Sequence, residues 1–357
     1  MNILDVIFAF FARLFGVPSG PPQPKDVPVQ VVSPRVLVIN FDPIVDAQGT
    51  HLTAKMGWNN VDDLIAGFIA GIEEVSYGLV KYQYDRANRI DVSEFPRKAD
   101  TFQYTAASYL AVMQAEPTHH EPDTVDYWKI VNDYHLVDRV MSHQIDEVWL
   151  FGGPYFGFWE SHMVGRGAVW CNSSPLAHSD LCTRRFVIMG FNYQRGVPEM
   201  IHDIGHRLEA IMANVYGSLE MLRNAYLSVD PRVQPPVGPE KFVNPRNDFE
   251  RFLLFQKIAP GRAEMGLIHT PPNATKDTDW QNPNPASSTC DDWLNFPNLQ
   301  GTRRDLACDE WGGGGDAQNA YIQWWFKHVP HVKDSKNGIL NNWWQYTMKV
   351  DGPLSAR

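Results

Sequence analysis

RRFVIMGFNYQRGVPEMIHDIGHRLEAIMANVYG, residues 184–217, is the stretch of sequence that most strongly predicts the fold. Residues 184–191 end in a continuous apolar run, which is typical of a strand buried on both faces of a sheet. A helix is predicted over residues 198–216, because Pro198 is favoured in the first turn of a helix and Gly217 just after its end. A buried strand that leads directly into a long helix is the repeating unit of an α/β protein.

Two more buried strands are predicted before this unit. They are RVLVINF, residues 35–41, and DEVWLF, residues 146–151. A helix that Asn60 can cap and Gly78 can end follows the first strand, and a helix within residues 123–145 precedes the second. The alternating segment VKYQYDR, residues 80–86, is predicted as another strand. The predicted fold class is therefore α/β, with a central sheet and flanking helices.

Composition divides the chain into three predicted parts. Residues 1–29 form an apolar N-terminal segment and a Pro-rich linker, in which residues 3–16 are either an imperfect export signal or a helix lying on a surface. Residues 30–216 form the α/β domain, and residues 217–357 form a loop-rich, Trp-rich extension packed on it. Pro, Asn, Gly and Trp dominate this extension, and few of its segments are periodic.

Charge and hydropathy argue against two classes of partner. The net charge is −10 and no Lys/Arg run is present, so nucleic acid is not a predicted partner. The apolar run of residues 3–16 is shorter than the ~20 residues of a membrane span, so no span is predicted. The tryptophans of the extension either line a cleft for sugars or peptides, or hold the extension together.

The four cysteines form two pairs that are close in sequence. Cys171 and Cys182 flank one loop-like segment, and Cys290 and Cys308 flank another. A disulfide is predicted within each pair, with free buried thiols as the alternative. Because disulfides are typical of exported proteins, an extracellular or periplasmic location is predicted.

The predicted helix 198–216 carries polar residues suited to metal chemistry. Its apolar stripe is predicted to pack on the sheet and comprises Val197, Met200, Ile201, Ile204, Leu208, Ile211, Met212 and Val215. The opposite face, away from the core, carries two imidazoles and two carboxylates, those of Glu199, His202, His206 and Glu209. Two histidines four residues apart can bind one metal ion, and Gly205 between them leaves room for another segment or a substrate. The alternative is a solvated face on which Arg207 pairs with a glutamate.

The segment HDIGH, residues 202–206, resembles the HExxH zinc helix of zincin metallopeptidases, which also follows a strand. This resemblance implies that His202 and His206 are zinc ligands and that Asp203, in place of the family's glutamate, is the general base. Because aspartate is one methylene shorter, the role of base is left open between Asp203, Glu199 and Glu209. A second resemblance is to a family of extracellular bacterial proteins and implies no mechanism; it is carried by DEVWLFGGPYFGFWES, GFNYQRG, HDIGHRLE, IHTPPN and CDDWLNFP.

A third metal ligand is predicted outside this helix. His269 lies in GLIHTPPN, after a strand-like apolar stretch, and the prolines that follow would fix its loop. The alternative role of His269 is a hydrogen bond within its own turn. Glu160 and His162 follow the predicted strand 146–151 at the carboxyl end of the sheet, where α/β proteins place their sites, and are further candidates for catalysis.

These features together predict a secreted, metal-dependent hydrolase. Zinc, or another divalent metal, held by His202, His206 and His269 would lower the pKa of a bound water toward ~7, and a nearby carboxylate would take its proton during attack on a carbonyl. The predicted substrates are peptides or ester-like compounds. The alternatives are a glycan-active enzyme, with paired carboxylates and Trp subsites for carbohydrate, and a non-catalytic extracellular binding module.

Overall fold

A computed structural model describes residues 29–115, 118–312, 314–352 and 354 of this chain. Its centre is a five-stranded mixed sheet with helices on both faces, which confirms the predicted α/β fold class. The predicted apolar N-terminal segment and Pro-rich linker, residues 1–29, lie outside the described residues except for Val29. Within the described ranges, no helix combines the length and the apolar character needed to cross a membrane.

The strands, in chain order, are β1 (Val36–Phe41), β2 (Arg89–Val92), β3 (Glu147–Gly152), β4 (Ser161–Val164), β5 (Phe186–Asn192), β6 (Ala286–Ser288), β7 (Arg304–Leu306), β8 (His331–Lys336) and β9 (Ile339–Asn342). The α-helices are α1 (Leu52–Met56), α2 (Val61–Val75), α3 (Ala106–Ala115), α4 (Tyr127–Asp133), α5 (Leu136–Met141), α6 (Val197–Val215), α7 (Leu219–Val229), α8 (Asp248–Phe252), α9 (Ala317–Lys327) and α10 (Trp343–Met348). Short 3-10 helices lie at Arg86–Asn88, Pro239–Phe242, Cys290–Asn295 and Cys308–Trp311.

The main sheet has the strand order β2-β1-β3-β5-β4. Strands β2, β1, β3 and β5 pair in parallel, and β4 is an antiparallel edge strand. Across the β3–β5 pair, Glu147 faces Val187 and Gly152 faces Asn192. The carboxyl ends of β3 and β5 therefore lie side by side, at the edge of the sheet where α/β proteins place their sites.

Alternate residues of the strands face two hydrophobic cores. On one face, Val38 and Trp149 share a core with residues of α2 and α6. On the other face, Ile39 and Leu150 share a core with residues of α3, α4 and α5. Because both faces of the sheet are covered, the central strands are mainly apolar rather than alternating, although Asn40 and Glu147 are polar residues buried in them.

Most of the predicted elements are present. The predicted strands 35–41, 146–151 and 184–191 are confirmed as β1, β3 and β5, and the predicted helix 198–216 is confirmed as α6. Helix α2 is capped by the Asn60 side chain, as predicted, but ends at Val75 rather than near Gly78. The predicted helix within residues 123–145 forms as two short helices, α4 and α5, which are separated at His135, a residue with a positive φ of 52°.

The predicted strand 80–86 is wrong. The bridges of this segment are isolated ones, at Val80 and Gln83. The Asp85 side chain accepts a hydrogen bond from Ala87 N and caps a 3-10 turn. The chain turns there, so the edge strand β2 begins only at Arg89.

The C-terminal part is more regular than predicted. It contains α7, α8, α9 and α10 and two small antiparallel sheets, β6–β7 and β8–β9. Phe252 and Trp343 of this part belong to the same core as Trp149 of β3. The division of the chain at residue 216 stays a prediction, but the segments on its two sides share one core.

Tryptophans hold the C-terminal part together. The rings of Trp293, Trp325 and Trp343 are fully buried and meet the Phe252 ring edge-on at centroid distances of 5.0, 5.4 and 5.2 Å. Such aromatic pairs add about 0.5–1.5 kcal/mol each beyond the burial of apolar area. For these three tryptophans, the predicted role of holding the extension together is confirmed.

Neither predicted disulfide is formed, because all four cysteines are free. Cys171 and Cys182 belong to the cores on opposite faces of the sheet. Cys290 is buried, whereas Cys308 is partly exposed at the start of the next 3-10 helix. Disulfides therefore give no support for export, and an extracellular or periplasmic location stays a prediction.

Candidate metal centre

Helix α6 starts just after the carboxyl end of β5. Gly196 N donates a hydrogen bond of 3.1 Å to Glu199 Oε2, and Pro198 occupies the first turn. The carboxylate of Glu199 therefore caps the start of the helix, where the helix dipole also favours negative charge. This local role accounts for one of the two carboxylates that were predicted on the polar face.

The polar face of α6 is enclosed, which differs from the prediction that it points away from the core. Helix α6 packs against α2, α7, α9 and α10. His202 is 9% exposed, and Glu209 is 1% exposed. The C-terminal part covers this face, a long-range contact that the periodicity of the helix alone does not report. The candidate site is therefore buried and is reached through cavities.

Three imidazoles converge at this covered face. The Nε2 atoms of His202 and His206 are 2.8 Å apart, and Nε2 of His269 lies 3.0 Å from the first and 3.1 Å from the second. Among the described residues, these three side chains form the group that could share a metal ion. The structure thus brings the predicted third ligand to the pair that the helix presents.

The spacing of the nitrogens suits one small metal ion. Zinc binds imidazole nitrogens at about 2.0–2.1 Å, which in a tetrahedral site separates them by about 3.4 Å; the observed triangle is slightly tighter. Burial, followed by the neighbouring imidazoles, lowers the pKa of His202 to about 2, so this ring is uncharged at neutral pH. Uncharged imidazole is the form that binds metals. Three such lone pairs this close repel one another unless a cation or shared protons lie between them.

Two of the rings are held through their other nitrogen, one by a carboxylate close by in sequence and one by an amide from a distant helix. Nδ1 of His269 lies 3.1 Å from Asp277 Oδ1. Nδ1 of His202 lies 3.2 Å from the side-chain amide of Gln318, in α9. Partners of this kind fix the orientation of metal-binding histidines and direct Nε2 to the common centre.

Glu209 links the helix to the loop that carries the third histidine. Its Oε2 lies 3.6 Å from Nδ1 of His206 and accepts a hydrogen bond from the Tyr226 hydroxyl. Its Oε1 accepts a hydrogen bond of 2.8 Å from Ile268 N. Because these contacts occupy both oxygens of a buried carboxylate, we assign Glu209 a positioning role toward His206 and His269.

Gly205 allows α6 to approach this loop closely, as the sequence predicted. A Cβ on Gly205 would lie 2.5 Å from Cγ1 of Ile268, a fully buried residue that precedes His269. Gly205→Ala should leave the helix intact, because alanine favours a helix interior by about 1 kcal/mol over glycine. It should displace the loop and its histidine, so we expect zinc affinity to fall by roughly 10-fold or more in competition with a chromophoric chelator.

Gly67→Ala is the matched control for this prediction. A Cβ on Gly67 would lie 2.7 Å from Cγ2 of Val197, so this substitution forces a similar adjustment between α2 and the start of α6. It should lower stability and leave zinc affinity unchanged. Wild-type zinc affinity in Gly205→Ala would contradict the role we give to this close contact.

Two cavities reach the histidine cluster from different sides. The first, of about 370 Å³, is lined by His202 and Asp203 and is called the polar cavity. The second, of about 730 Å³, is lined by His206 and His269 and is called the apolar cavity. Glu160 lines both. The charged residues that line the polar cavity are Asp123, Glu160, Arg195, Glu199 and Asp203.

The remaining candidates for catalysis lie in different surroundings. Asp203 lines the polar cavity beside His202, and burial, followed by the charge of Glu160, raises the pKa of its carboxyl well above the usual value. His162 lies in β4, where its Nδ1 is 2.7 Å from Ser173 Oγ, and it is not among the residues that line the two cavities. Of the pair predicted after the strand 146–151, only Glu160 reaches the cluster's cavities.

No sequence pattern predicted the residues that hold the imidazoles in place. Gln318 comes from a helix far along the chain and Tyr226 from the next helix, α7, and no periodicity relates them to residues 198–216. Asp277 lies eight residues after His269. A carboxylate this close in sequence to a predicted ligand was the one sequence signal that could have predicted such a partner.

Comparison of the chain with protein-family models, curated proteins and solved structures found no match. The resemblance of residues 202–206 to the HExxH helix therefore stays a prediction.

Proposed function

We propose that this protein is a metal-dependent hydrolase that holds zinc with His202, His206 and His269 and cleaves a peptide or ester-like bond. The observation that carries this proposal is the convergence of three imidazole nitrogens within 3.1 Å of one another, between two cavities. Zinc held by three protein ligands keeps one position for water or substrate, lowers the pKa of that water and polarises a carbonyl group.

The surroundings of the cluster favour a reaction over a structural role. A structural zinc site is closed by four protein ligands, whereas the cluster of described residues offers three. Since His202 lines one cavity and His206 and His269 line the other, a substrate with one group in each cavity would place the bond joining its two halves beside the cluster. This placement supports the cleavage of a bond inside an extended substrate.

We assign Glu160 as the group that accepts the proton of the attacking water. It lines both cavities, whereas Asp203 lines only the polar one. Asn172 donates a hydrogen bond to Glu160 Oε2, which orients the carboxylate. After accepting the proton, the same carboxyl returns it to the leaving group. Glu209 is less suited to this role, because both of its oxygens already accept hydrogen bonds.

The test of this function separates metal binding from proton transfer. The purified full chain is assayed for zinc content and for hydrolysis of fluorogenic peptides and nitrophenyl esters, with and without 1,10-phenanthroline. We expect Glu160→Gln to retain about one zinc per chain. Its activity should fall by roughly 100-fold or more, which is the usual contribution of a general base.

Glu199→Gln is the matched control, because Glu199 lines the same polar cavity but caps α6. It should keep most of the activity. If Asp203→Asn is inactive while Glu160→Gln is active, the proton acceptor is Asp203 and the hydrolase proposal stands. Hydrolysis that is unaffected by the chelator, or a chain that binds no zinc, would overturn the proposed function.

A glycan-active enzyme is the second candidate function. The two exposed tryptophans, Trp159 and Trp170, line the polar and the apolar cavity respectively. Flat aromatic surfaces on both sides of the cluster are suited to sugar rings. Acetylated and unmodified oligosaccharides therefore belong in the substrate panel. Chelator-insensitive cleavage of a glycosidic bond would favour this candidate over the metal-dependent hydrolase.

A further inference from the structure

The two cavities differ in their chemistry. The polar cavity is lined by five charged residues together with aromatic ones such as Phe158 and Trp159. The surface of the apolar cavity is mostly apolar, and its lining residues include Trp170, Ala210, Leu219, Leu222 and Leu227. His206 and His269, two of the three proposed ligands, also line the apolar cavity. A group bound against these apolar walls is therefore in direct reach of the metal centre.

Two large apolar side chains of this cavity are exposed. Trp170 is 44% exposed, and Leu219, the first residue of α7, is 40% exposed. Exposed apolar surface that is contiguous with a concave site marks a binding surface more often than isolated exposed residues do. The volume of about 730 Å³ is in the usual range of small-molecule sites.

We propose that the apolar cavity binds an aliphatic or aromatic group of the substrate, next to the bond that is cleaved. This inference rests on the proposed function of the metal centre and specifies its substrate class: a compound with an apolar group on one side of the scissile bond and a polar group on the other. Burial of the apolar group against Leu219, Leu222 and Trp170 provides the binding energy. The polar cavity, through Arg195, accepts the other half.

The experiment uses n-alkyl hydroxamates, which chelate zinc through one end and extend an alkyl chain of chosen length. Their dissociation constants for the zinc-loaded full chain are measured by titration calorimetry, from acetohydroxamate to octanohydroxamate. In the wild-type protein we expect affinity to rise about threefold to fourfold per added methylene until the cavity is filled. The readout is binding and does not require a known substrate.

Leu219→Glu is the test variant, because an acidic residue in the first turn of α7 is compatible with the helix. It should bind acetohydroxamate and zinc as the wild type does, and the gain from acetohydroxamate to octanohydroxamate should shrink at least tenfold. Trp170→Ala should shrink the gain in the same direction. Leu294→Glu is the matched control, since Leu294 is 45% exposed but lies outside the cavity, and it should keep the full gain.

The outcomes of this experiment distinguish a failure of the inference from a failure of the proposed function. Tight binding of acetohydroxamate with no dependence on chain length would overturn the inference and leave the metal-dependent hydrolase in place. A chain that takes up no zinc, or that does not bind acetohydroxamate when loaded with zinc, would overturn the proposed function and the inference with it. A chain-length gain that Leu219→Glu leaves intact would place the alkyl chain elsewhere and also overturn the inference.

Discussion

Replacing His206 by alanine should abolish zinc binding. The substitution leaves two of the three imidazoles and removes the ring that lies against Glu209 and Tyr226. We expect zinc content to fall from about one equivalent to below about 0.1 per chain after dialysis, measured by elemental analysis. Helix α6 should persist, because Leu208 and Ile211 keep it packed in the core.

Thermal stability gives an independent readout of the same site. A ligand that binds only the folded chain stabilises it by about 2.7 kcal/mol when its concentration is 100 times Kd. Zinc should therefore raise the Tm of the wild type and of His162→Ala, whose ring lies away from the cluster, and leave His206→Ala unchanged. Full zinc occupancy in a folded His206→Ala protein would contradict the assigned site. If His206→Ala fails to fold, His269→Ala on the loop provides the same test.

Removing the charge of Arg207 should produce the largest loss of stability. Arg207 follows His206 in α6 but points into the core, where it is 1% exposed and its NH1 lies 2.7 Å from Glu147 Oε2. Glu147 Oε1 also accepts a hydrogen bond of 2.8 Å from Trp149 Nε1. Arg207→Met leaves this buried carboxylate without its cation, which costs about 3–5 kcal/mol. The free energy of unfolding is measured by urea denaturation.

The double variant Arg207→Met, Glu147→Gln tests the physical reason. It removes both charges and keeps an acceptor for Trp149, so most of the lost stability should return. The control, Arg223→Met, changes an exposed arginine of α7 and should alter stability by no more than about 0.5 kcal/mol. An Arg207→Met protein as stable as the wild type would show that the pair does not anchor α6 to the sheet.

The strands and helices with strong local patterns were predictable. Strands β1, β3 and β5 are largely buried on both faces, so their sequences are mainly apolar runs rather than alternating ones. Helix α6 repeats its apolar residues at helical spacing because one side of it packs on the sheet. Gly205 was predictable as a point of close approach for the same reason, since glycine inside a helix is costly unless something needs the space.

Elements that depend on distant contacts were predicted poorly. The strand predicted at residues 80–86 has the right alternation and forms isolated bridges at Val80 and Gln83, but the Asp85 cap turns the chain before these bridges extend into a strand. The cysteine pairs are close in sequence, yet Cys171 and Cys182 are drawn into different cores. Neither the local alternation of residues 80–86 nor the closeness of the cysteines in sequence determined these outcomes, because both depend on how the whole domain packs.

By itself, the sequence determined the α/β sheet, the helix that presents His202 and His206, and His269 as their predicted partner. Each of these follows from a pattern within one segment, because the spacing of residues along a segment reflects which of them are regularly buried. Only the tertiary structure decided that the polar face of α6 is buried, that Glu209 serves the loop of His269, and that Glu160 lies between two unlike cavities. These features join segments far apart in sequence, and their geometry is set by packing rather than by the local preferences of any one segment.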